Sequence, residues 1–362
     1  MTSQPSSKRT TVIRGTGIYV PPAVATNEMM SRVMETSDEW IVQRTGIRER
    51  RFVEPGVGSA ELGARAAEAA LADAGLTAAD VDLVVFATMT PDHYFPGNGG
   101  LLAARLGMDG THALDIRMQC AGFLSGMQTA DAFIRSGTYD RVLLVGAEVH
   151  SGLMPWPETV WDVLWGRTDE PCDPGWYRKI TGLRDRGVLF GDGAGAMVLE
   201  ANESGDGRGF VGFRMRTDGT QWDKLYVPGG GCKSRPYFTP AMFEAGGTLP
   251  IVEGRQVFRL AVQLMPSAVR EVLAEHGRTL HDVDLLLMHQ ANLRINEAVQ
   301  KALDLPDDRV YNNIDRYGNT TAATIPIVYH EARKLGKLKE GDLVAIAALG
   351  AGLHWGAGLV VA

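Results

Sequence analysis

The amino-acid sequence predicts a duplicated α/β protein in which helices cover mostly parallel β-sheets. The first observation behind this prediction is an internal repeat. The segment LADAGLTAADVDLVVFATMT, which begins at Leu71, returns as LAEHGRTLHDVDLLLMHQAN at Leu273, an offset of 202 residues. The same offset aligns YDRVLLVGAE at Tyr139 with GDLVAIAALG at Gly341, so the register holds without a net gap. The second observation is that helix-like and strand-like segments alternate within each copy, which favours right-handed crossovers between parallel strands.

Each copy begins with an amphipathic helix that a glycine closes, at Gly75 in one copy and at Gly277 in the other. A short polar turn follows, and then an apolar strand of the kind that is buried on both faces, VDLVVFA and VDLLLMH. A second helix begins at Cys120 and, 202 residues later, at the equivalent position of the second copy. We therefore divide the chain into two halves, 1–205 and 206–362.

A glycine-rich stretch, GVLFGDGAGAMVLE at 187–200, closes the first half. A phosphate-binding loop is one interpretation, but the stretch lacks the GxGxxG spacing and a following helix. Because it lies between two apolar, strand-like segments, we interpret residues 191–193 as the turn of a β-hairpin.

Composition and charge exclude several classes of protein. The 362 residues are 45% hydrophobic and 22% charged, which is typical of a globular enzyme and argues against a disordered or fibrous chain. A formal net charge of -7 argues against a nucleic-acid binder, which needs a basic face. The polar N-terminus shows no apolar signal region, and no apolar run is long enough to span a bilayer, so we expect a cytoplasmic protein. Three cysteines at scattered spacing, without a CxxC pair or a metal-ligand pattern, predict neither a disulfide framework nor a metal site.

Three side chains of different chemistry fall at strand ends and helix starts. Cys120 begins a helix, His289 ends the strand VDLLLMH, and Asn319 precedes a helix of the second half. Ligands of α/β sheets bind beyond the carboxyl ends of the strands, and the positive end of a helix dipole lowers the pKa of a thiol there. Each residue alone has an ordinary structural interpretation: a packed cysteine, a satisfied histidine and a helix cap. Together, from the two halves of one duplicated fold, they form a candidate cysteine-nucleophile site.

Four motifs carry a resemblance to a known family. They are TSDEWIVQRTGIRER from Thr36, HQANLRI from His289, YGNTTAATIP from Tyr317 and FGDGAGA from Phe190. With these motifs the sequence resembles the β-ketoacyl-acyl-carrier-protein synthase III enzymes over nearly its whole length. The resemblance implies a thiolase-like α/β fold, layered αβαβα, with two halves related by a pseudo-twofold axis. It also implies a homodimer that binds no permanent cofactor and uses acyl-CoA as a substrate.

The resemblance also implies roles for individual residues. Cys120 would be the acylated nucleophile, with His289 and Asn319 as its catalytic partners. The backbone N–H groups of Cys120 and Ala351 would form the oxyanion hole, although a glycine is usual at the position of Ala351. The remaining residues implied are Trp40 and Arg186 on either side of the adenine of coenzyme A, Arg44 and Asn292 along the pantetheine route, and Phe95 in the acyl pocket of the partner subunit. Because the carrier protein of this family is acidic, a basic patch of Arg259, Arg294 and Lys301 is expected to dock it.

The segment 151–184 is longer than the corresponding connection of the family and holds four of the seven tryptophans. Aromatic surface of this extent must pack against other parts of the protein or against a partner subunit, since each large aromatic side chain buries about 150–250 Å². We expect either a cap over the substrate entrance or the acyl end, or an extension of the dimer interface.

With this resemblance the sequence predicts a decarboxylative condensing enzyme. An acyl group would pass from an acyl-CoA primer to Cys120, and malonyl-acyl-carrier protein would lose carbon dioxide and attack the acyl-cysteine. The product would be a β-ketoacyl-carrier protein of fatty-acid or related polyketide initiation. The alternatives are an acyltransferase or ketosynthase of secondary metabolism without decarboxylation, a non-catalytic partner subunit, and a cysteine hydrolase. Asn319 disfavours an enzyme without decarboxylation, because its amide serves that step. Retention of the cysteine, histidine and asparagine disfavours a non-catalytic partner subunit. An apolar site that shields the acyl-enzyme from water disfavours a hydrolase.

Overall fold

A computed structural model describes residues 9–362, and two five-stranded sheets are the frame of the molecule. Residues 1–8, on which the prediction about the N-terminus partly rests, lie outside the described residues. The strands are β1 (Thr10–Tyr19), β2 (Val24–Thr26), β3 (Glu49–Arg51), β4 (Leu83–Ala87), β5 (His112–Ile116), β6 (Arg141–Glu148), β7 (Gly193–Asn202), β8 (Gly209–Thr217), β9 (Leu225–Tyr226), β10 (Ile251–Val252), β11 (Leu285–Met288), β12 (Val310–Tyr311), β13 (Leu343–Gly350) and β14 (His354–Val361). The helices are α1 (Asn27–Val33), α2 (Asp38–Thr45), α3 (Ser59–Ala74), α4 (Asn98–Arg105), α5 (Gly122–Arg135), α6 (Glu158–Leu164), α7 (Pro174–Thr181), α8 (Arg184–Gly187), α9 (Pro240–Glu244), α10 (Gly254–Glu275), α11 (Leu293–Leu303), α12 (Ile314–Tyr317) and α13 (Thr324–Lys334).

The two sheets have equivalent strand orders, which confirms the duplicated α/β fold. The first sheet runs β1-β7-β6-β4-β5 and the second runs β8-β14-β13-β11-β12. β4 and β11 begin 202 residues apart, as do β6 and β13. Both sheets are mixed, since β6-β4-β5 and β13-β11-β12 are parallel whereas the pairs that involve β7 and β14 are antiparallel. In each sheet four of the five strands therefore run in one direction, as the sequence predicts, and only β7 in the first sheet and β14 in the second run against them.

Five layers follow from how the helices cover the sheets. α3 packs its alanine-rich face on the outer side of the first sheet, and α10 and α11 pack on the outer side of the second. α5 and α13 lie between the sheets, where Phe123, Leu124 and Ile325 are fully buried. Each such side chain contributes roughly 1.5–3 kcal/mol by leaving water. The central helices are thus fixed from both faces, and so are the turns that precede them.

The repeated segment folds in the same way in both halves. Gly75 caps the end of α3, and Gly277 stands two residues after the end of α10. Their φ angles are 70° and 64°, a left-handed backbone that favours glycine. In the polar turn that follows, Thr77 and Thr279 each form a capping box with an aspartate three residues later. The predicted order of helix, glycine, polar turn and buried strand is therefore confirmed in both copies.

The tryptophan-rich segment is ordered and packs against its own half. It contains α6 and α7, and its Trp161 ring lies 5.0 Å from that of Trp156 and 5.4 Å from that of Phe52, between ring centroids. A hydrophobic cluster joins these rings to buried side chains of α1 and α2. Much of the aromatic surface is therefore buried within the chain, in a cluster that includes Ile41 of α2. The choice between a cap and a dimer interface for the rest stays a prediction.

Residues 191–193 do not form the predicted hairpin, so that interpretation is wrong. The residues before them form α8 and not a strand, and β7 begins at Gly193 and pairs with β1 and β6. Asp192 is buried, and its carboxylate accepts the backbone N–H groups of Val53 at 2.9 Å and Ser151 at 3.0 Å. A buried carboxylate needs several donors. Asp192 therefore joins three segments of the chain, which a solvent-exposed turn would not do.

Candidate active site

Two equivalent turns bring the two halves together. The 3-10 turns Gln119–Ala121 and Thr321–Ala323 stand 202 residues apart, precede α5 and α13, and pack against each other. Gln119 and Thr321 have left-handed backbones, with φ of 45° and 50°. Such a backbone costs an L-residue about 1–2 kcal/mol, and non-glycine residues hold it where the surrounding structure enforces it, commonly at functional sites.

A cavity of about 940 Å³ opens beside these turns. Cys120, His289 and Asn319 all line it, so the structure brings together the three side chains that the sequence singles out. Ala351 and Asn292 line it as well. Much of the remaining wall is apolar, and includes Met89, Leu153, Phe190, Val257, Phe258 and Ile295. The volume is in the range of sites for cofactor-sized ligands.

Cys120 lies just before α5 and is buried, with 7% of its surface exposed. Burial, aided by the Glu148 carboxylate, raises the pKa of the Cys120 thiol to about 12. The backbone N–H of Cys120 lowers that pKa, as the sequence leads us to expect at a helix start, and the Thr321 side chain lowers it as well, but neither offsets burial. The resting residue is therefore a thiol, and it needs a base before it can act as a nucleophile.

His289 is held in one tautomer by a threonine. Its Nδ1 lies 2.7 Å from Thr324 Oγ1, which itself donates to the Thr321 carbonyl at 2.9 Å. A hydroxyl has one proton, so Thr324 Oγ1 must accept from His289, and Nδ1 carries the imidazole proton. Nε2 then carries a lone pair. This atom is buried and has no hydrogen-bond partner among the described residues. Burial lowers the pKa of His289 to about 3, so the ring is neutral and offers a base at Nε2.

Asn319 is fixed by its backbone and by its side chain. Its N–H donates to the Leu189 carbonyl at 2.9 Å, and its carbonyl accepts the Gly191 N–H at 3.2 Å. The side-chain Oδ1 accepts the Thr321 N–H at 2.9 Å, which is the capping contact that the sequence left open. The Oδ1 end is thus occupied, and Nδ2 is left as a donor on a residue that lines the cavity.

Backbone N–H groups at Cys120 lie against the end of β13. A side chain at Gly350 would put its Cβ 3.0 Å from the Cys120 nitrogen, so the close approach requires glycine there. The next residue, Ala351, lines the cavity and is not among the residues with positive φ. Alanine therefore carries no left-handed strain where the family usually has glycine. Its share in an oxyanion hole stays a prediction.

Two arginines lie over the Trp40 ring, and neither is Arg186. The guanidinium carbons of Arg44 and Arg184 are 4.4 and 4.8 Å from the ring centroid. Arg186 instead donates to the Pro250 carbonyl at 2.9 Å. Sequence reasoning missed Arg184, although it stands in the same turn of α8 as Arg186. The helical spacing is the signal that separates them, because side chains two residues apart point to different sides of a helix.

Asn292 connects the second half to α2. Its Oδ1 accepts the Arg294 N–H at 2.9 Å, so it caps α11, and its Nδ2 donates to the Arg44 carbonyl at 2.9 Å. Since Asn292 also lines the cavity, it lies between the cavity and the helix that carries Trp40.

The remaining predicted residues lie on the surface. Phe95 is 82% exposed on the loop between β4 and α4. Arg259 on α10 and both Arg294 and Lys301 on α11 are exposed, and α10 packs against α11. Two of these cations adjoin residues of the cavity wall in sequence.

A second buried histidine at the cavity, His150, was not predicted. It follows β6 and is buried. The signal was present, because the rule that singled out His289 at the end of a strand applies equally to His150. Within residues 9–362 no group of His, Cys, Asp and Glu side chains is arranged to hold a metal ion. Nor does any helix of this described range have the length and apolar character needed to cross a membrane.

Two family models match the chain. The model described as 3-oxoacyl-[acyl-carrier-protein (ACP)] synthase III matches residues 114–166 and 178–219, and the model of its C-terminal part matches residues 273–362. Residues 167–177, which the first match leaves out, lie inside the tryptophan-rich segment.

Known proteins are similar over nearly the whole chain. The β-ketoacyl-[acyl-carrier-protein] synthase III of Caldanaerobacter subterraneus subsp. tengcongensis is 40% identical over 348 residues, which cover 96% of each chain. The 3-oxoacyl-[acyl-carrier-protein] synthase III structure from Aquifex aeolicus has a TM-score of 0.82 at 38% identity and covers 97% of this chain and 100% of its own. The priming β-ketosynthase of the R1128 polyketide pathway has a TM-score of 0.83 at 28% identity, with coverage of 99% and 98%. The chain therefore belongs to the 3-oxoacyl-[acyl-carrier-protein] synthase III family.

Proposed function

We propose that this protein condenses an acyl group from an acyl-CoA primer with a malonyl group on an acyl-carrier protein, with loss of carbon dioxide. The observation that carries the proposal is one cavity lined by a cysteine, a histidine and an asparagine from the two halves. The thiol supplies a nucleophile, and the two nitrogen side chains can move one proton and stabilise one developing oxyanion. Relatives named as synthase III support the same reaction.

In the first half-reaction Cys120 must lose its proton. The Nε2 lone pair of His289 takes that proton, and the thiolate attacks the thioester carbonyl of acyl-CoA. The backbone N–H groups of Cys120 and Ala351 bind the oxyanion. The bond between the acyl carbon and the coenzyme A sulfur then breaks. That sulfur takes the proton back from His289 and leaves as a free thiol, so His289 returns to its neutral form.

In the second half-reaction the malonyl thioester loses carbon dioxide, and the electron pair moves onto its thioester oxygen. The Nδ2 group of Asn319 donates to this oxygen. A second donor requires a proton on Nε2 of His289, and this follows if the Thr324 hydroxyl rotates to donate to Nδ1. The enolate carbon attacks the acyl-cysteine, the carbon–sulfur bond to Cys120 breaks, and the thiolate takes a proton from solvent.

We assign the nucleotide of coenzyme A to the surface around Trp40. Two guanidinium groups beside an aromatic ring can bind a nucleotide, since arginine both stacks on a planar base such as adenine and pairs with phosphate. The pair on the ring is Arg44 and Arg184, so we assign these two to the nucleotide. Arg186, expected from the sequence beside the adenine, is assigned to support of the cavity wall, because Pro250 lines the cavity.

We propose that the protein works as a homodimer in the cytoplasm. Phe95 and its neighbour Tyr94 are 82% and 55% exposed, and exposed aromatic surface of this kind is typical of an interface. Phe95 would enter the acyl pocket of the partner subunit. Cys232 is an exposed free thiol, which suits a reducing compartment.

We assign carrier-protein docking to the exposed face of α10 and α11. Arg259 follows Phe258, and Arg294 stands between Asn292 and Ile295; these three neighbours line the cavity. A protein of net charge -7 needs concentrated cations to attract an acidic carrier. Lys301 lies two turns further along α11 and extends the same basic patch.

The test is to mix the protein with acyl-CoA and malonyl-carrier protein and to weigh both proteins by mass spectrometry. We expect an acyl group on the Cys120 peptide and not on Cys172 or Cys232, followed by a β-ketoacyl group on the carrier. A Cys120→Ala variant is the control and should do neither. An acyl-enzyme that yields only free acid would indicate a hydrolase, one that acylates an alcohol or amine without loss of carbon dioxide an acyltransferase, and no acyl-enzyme a non-catalytic partner subunit.

A further inference from the structure

His150 is a buried histidine at the cavity that the reaction above does not use. Its imidazole stacks on Phe190, with 4.2 Å between ring centroids and 18° between planes, so the ring is fixed. Its Nε2 forms a hydrogen bond with Thr321 Oγ1. Its Nδ1 is buried and has no partner among the described residues. One end of the ring is thus bonded and the other is not.

The unpartnered Nδ1 decides the direction of that hydrogen bond. Burial and, to a lesser extent, His289 lower the pKa of His150 to about 3, so the ring is neutral and has one proton. A proton on Nδ1 would leave a buried N–H without an acceptor, and proteins avoid orphaned N–H groups more strictly than unused lone pairs. The proton therefore lies on Nε2, and His150 donates to Thr321 Oγ1.

Thr321 is then left with a free hydroxyl proton. Its other polar groups are occupied, because its N–H donates to Asn319 Oδ1 and its carbonyl accepts from Thr324. Thr321 and Cys120 stand in the two turns that pack against each other and both line the cavity, and in this position the Thr321 side chain lowers the pKa of the Cys120 thiol. A hydroxyl has this effect as a donor to sulfur. A chain of donors would then run from His150 through Thr321 to Cys120.

We propose that His150 is a positioning residue for the nucleophile: its Nε2–H orients the Thr321 hydroxyl toward Cys120 and so stabilises the thiolate. No covalent bond is made or broken in this chain, and the thiol proton still goes to His289. The inference rests on the proposed function in one respect, that Cys120 is the group that reacts.

Other titratable groups face the same sulfur and ring. Burial raises the pKa of Glu148, at the end of β6, to about 7, and this carboxyl disfavours the thiolate. Burial also raises the pKa of Asp192, which holds Ser151 beside His150, to about 6. Both carboxyls, and the neutral His289, are unchanged in the variants below. A difference between those variants therefore isolates the donor chain.

The test measures how fast iodoacetamide alkylates Cys120 across the neutral and alkaline pH range, in a Cys232→Ser background that removes the exposed thiol. Thr321→Val keeps the branched shape but removes the hydroxyl donor. His150→Leu fills the buried site with an apolar side chain and removes the Nε2–H donor. One hydrogen bond to a charged group is worth about a factor of ten, so we expect both variants to react about tenfold more slowly at neutral pH. Thr321→Ser and His150→Gln keep a donor at the same place and should react like the parent.

Identical alkylation profiles for the parent, His150→Leu and His150→Gln would overturn the inference. If His150→Leu does not fold, the Thr321→Val and Thr321→Ser pair decides, because it leaves the imidazole in place; equal rates for these two also overturn it. The readout needs no acyl-CoA or carrier protein. If the variants alkylate more slowly as expected but the protein forms no acyl-enzyme, the proposed function is refuted and the inference about His150 stands.

Discussion

Replacing Arg184 with alanine should weaken the binding of acyl-CoA. The Arg184 guanidinium lies 4.8 Å from the ring centroid and is partly exposed. If the guanidinium stacks on the adenine as assigned, that contact with the ligand contributes about 0.5–2 kcal/mol, which corresponds to about 2- to 30-fold in Kd. Arg184 does not line the cavity, so the turnover rate at saturating acyl-CoA should stay unchanged. Calorimetric titration with coenzyme A measures the loss of binding, and the rate of acylation at saturating acyl-CoA measures turnover.

Arg186→Ala is the matched control, because it removes the same type of side chain from the same helix. Its guanidinium donates to the Pro250 carbonyl, so its loss should lower the free energy of unfolding by about 0.5–1.5 kcal/mol and leave the Kd for coenzyme A nearly unchanged. A larger loss of affinity in Arg186→Ala than in Arg184→Ala would refute the assignment of Arg184. The pairing of Trp40 with Arg186 that the sequence predicts would then be the correct one.

Other predictions concern the base, the docking face and the tryptophan-rich segment. Thr324→Val removes the acceptor of His289 and should slow acylation in stopped flow by about 10²-fold; a similar rate in Thr324→Ser and Thr324→Val would contradict the assigned tautomer. Arg294→Glu should raise the KM for malonyl-carrier protein and spare self-acylation, and equal damage to both steps would point to another docking face. Deletion of residues 155–173 with a short Gly-Ser bridge should leave a dimer of altered acyl-CoA preference by gel filtration and kinetics if the segment is a cap, whereas loss of the dimer alone would identify an interface.

The fold was predictable because duplication leaves a register in the sequence. One offset of 202 residues predicts which strands and which turns are equivalent, and the structure agrees at β4 with β11 and at the turn of Cys120. The reversed direction of β7 and β14 was not predictable, because an apolar run has the same pattern in parallel and antiparallel neighbours. The hairpin expected at 191–193 was wrong for a related reason. The donors that hold Asp192 come from Val53 and Ser151, which are distant in sequence.

The members of the candidate site were predictable where each adjoins a strand end or a helix start. Their protonation states were not, since these depend on burial and on partners from other elements. Cys120 is a thiol because it is buried near Glu148 from β6, and the tautomer of His289 depends on Thr324. The choice between Arg184 and its neighbour depends on which side of one helical turn meets Trp40.

Gln119 and Thr321, equivalent residues of the two halves, both have a left-handed backbone, but their side chains differ in hydrogen bonding. Thr321 has its hydroxyl, N–H and carbonyl all bonded. Gln119, the equivalent residue, has the same left-handed φ, but its side-chain oxygen is buried without a partner among the described residues. Contacts therefore offset the strain at Thr321, whereas no contact of the Gln119 amide oxygen offsets it.

Gln119→Gly should accordingly stabilise the protein. Relief of the left-handed backbone contributes about 1–2 kcal/mol and removal of the unpaired oxygen about 1–3 kcal/mol, against roughly 0.5–1 kcal/mol for the added freedom of glycine in the unfolded chain. The net gain of at least about 1 kcal/mol is measurable by urea unfolding. Thr321→Gly is the matched change and should destabilise, because it removes the bond to His150. A Gln119→Gly protein less stable than the parent would contradict this reasoning. A more stable protein with slower acylation would show that the strain next to Cys120 is retained for catalysis.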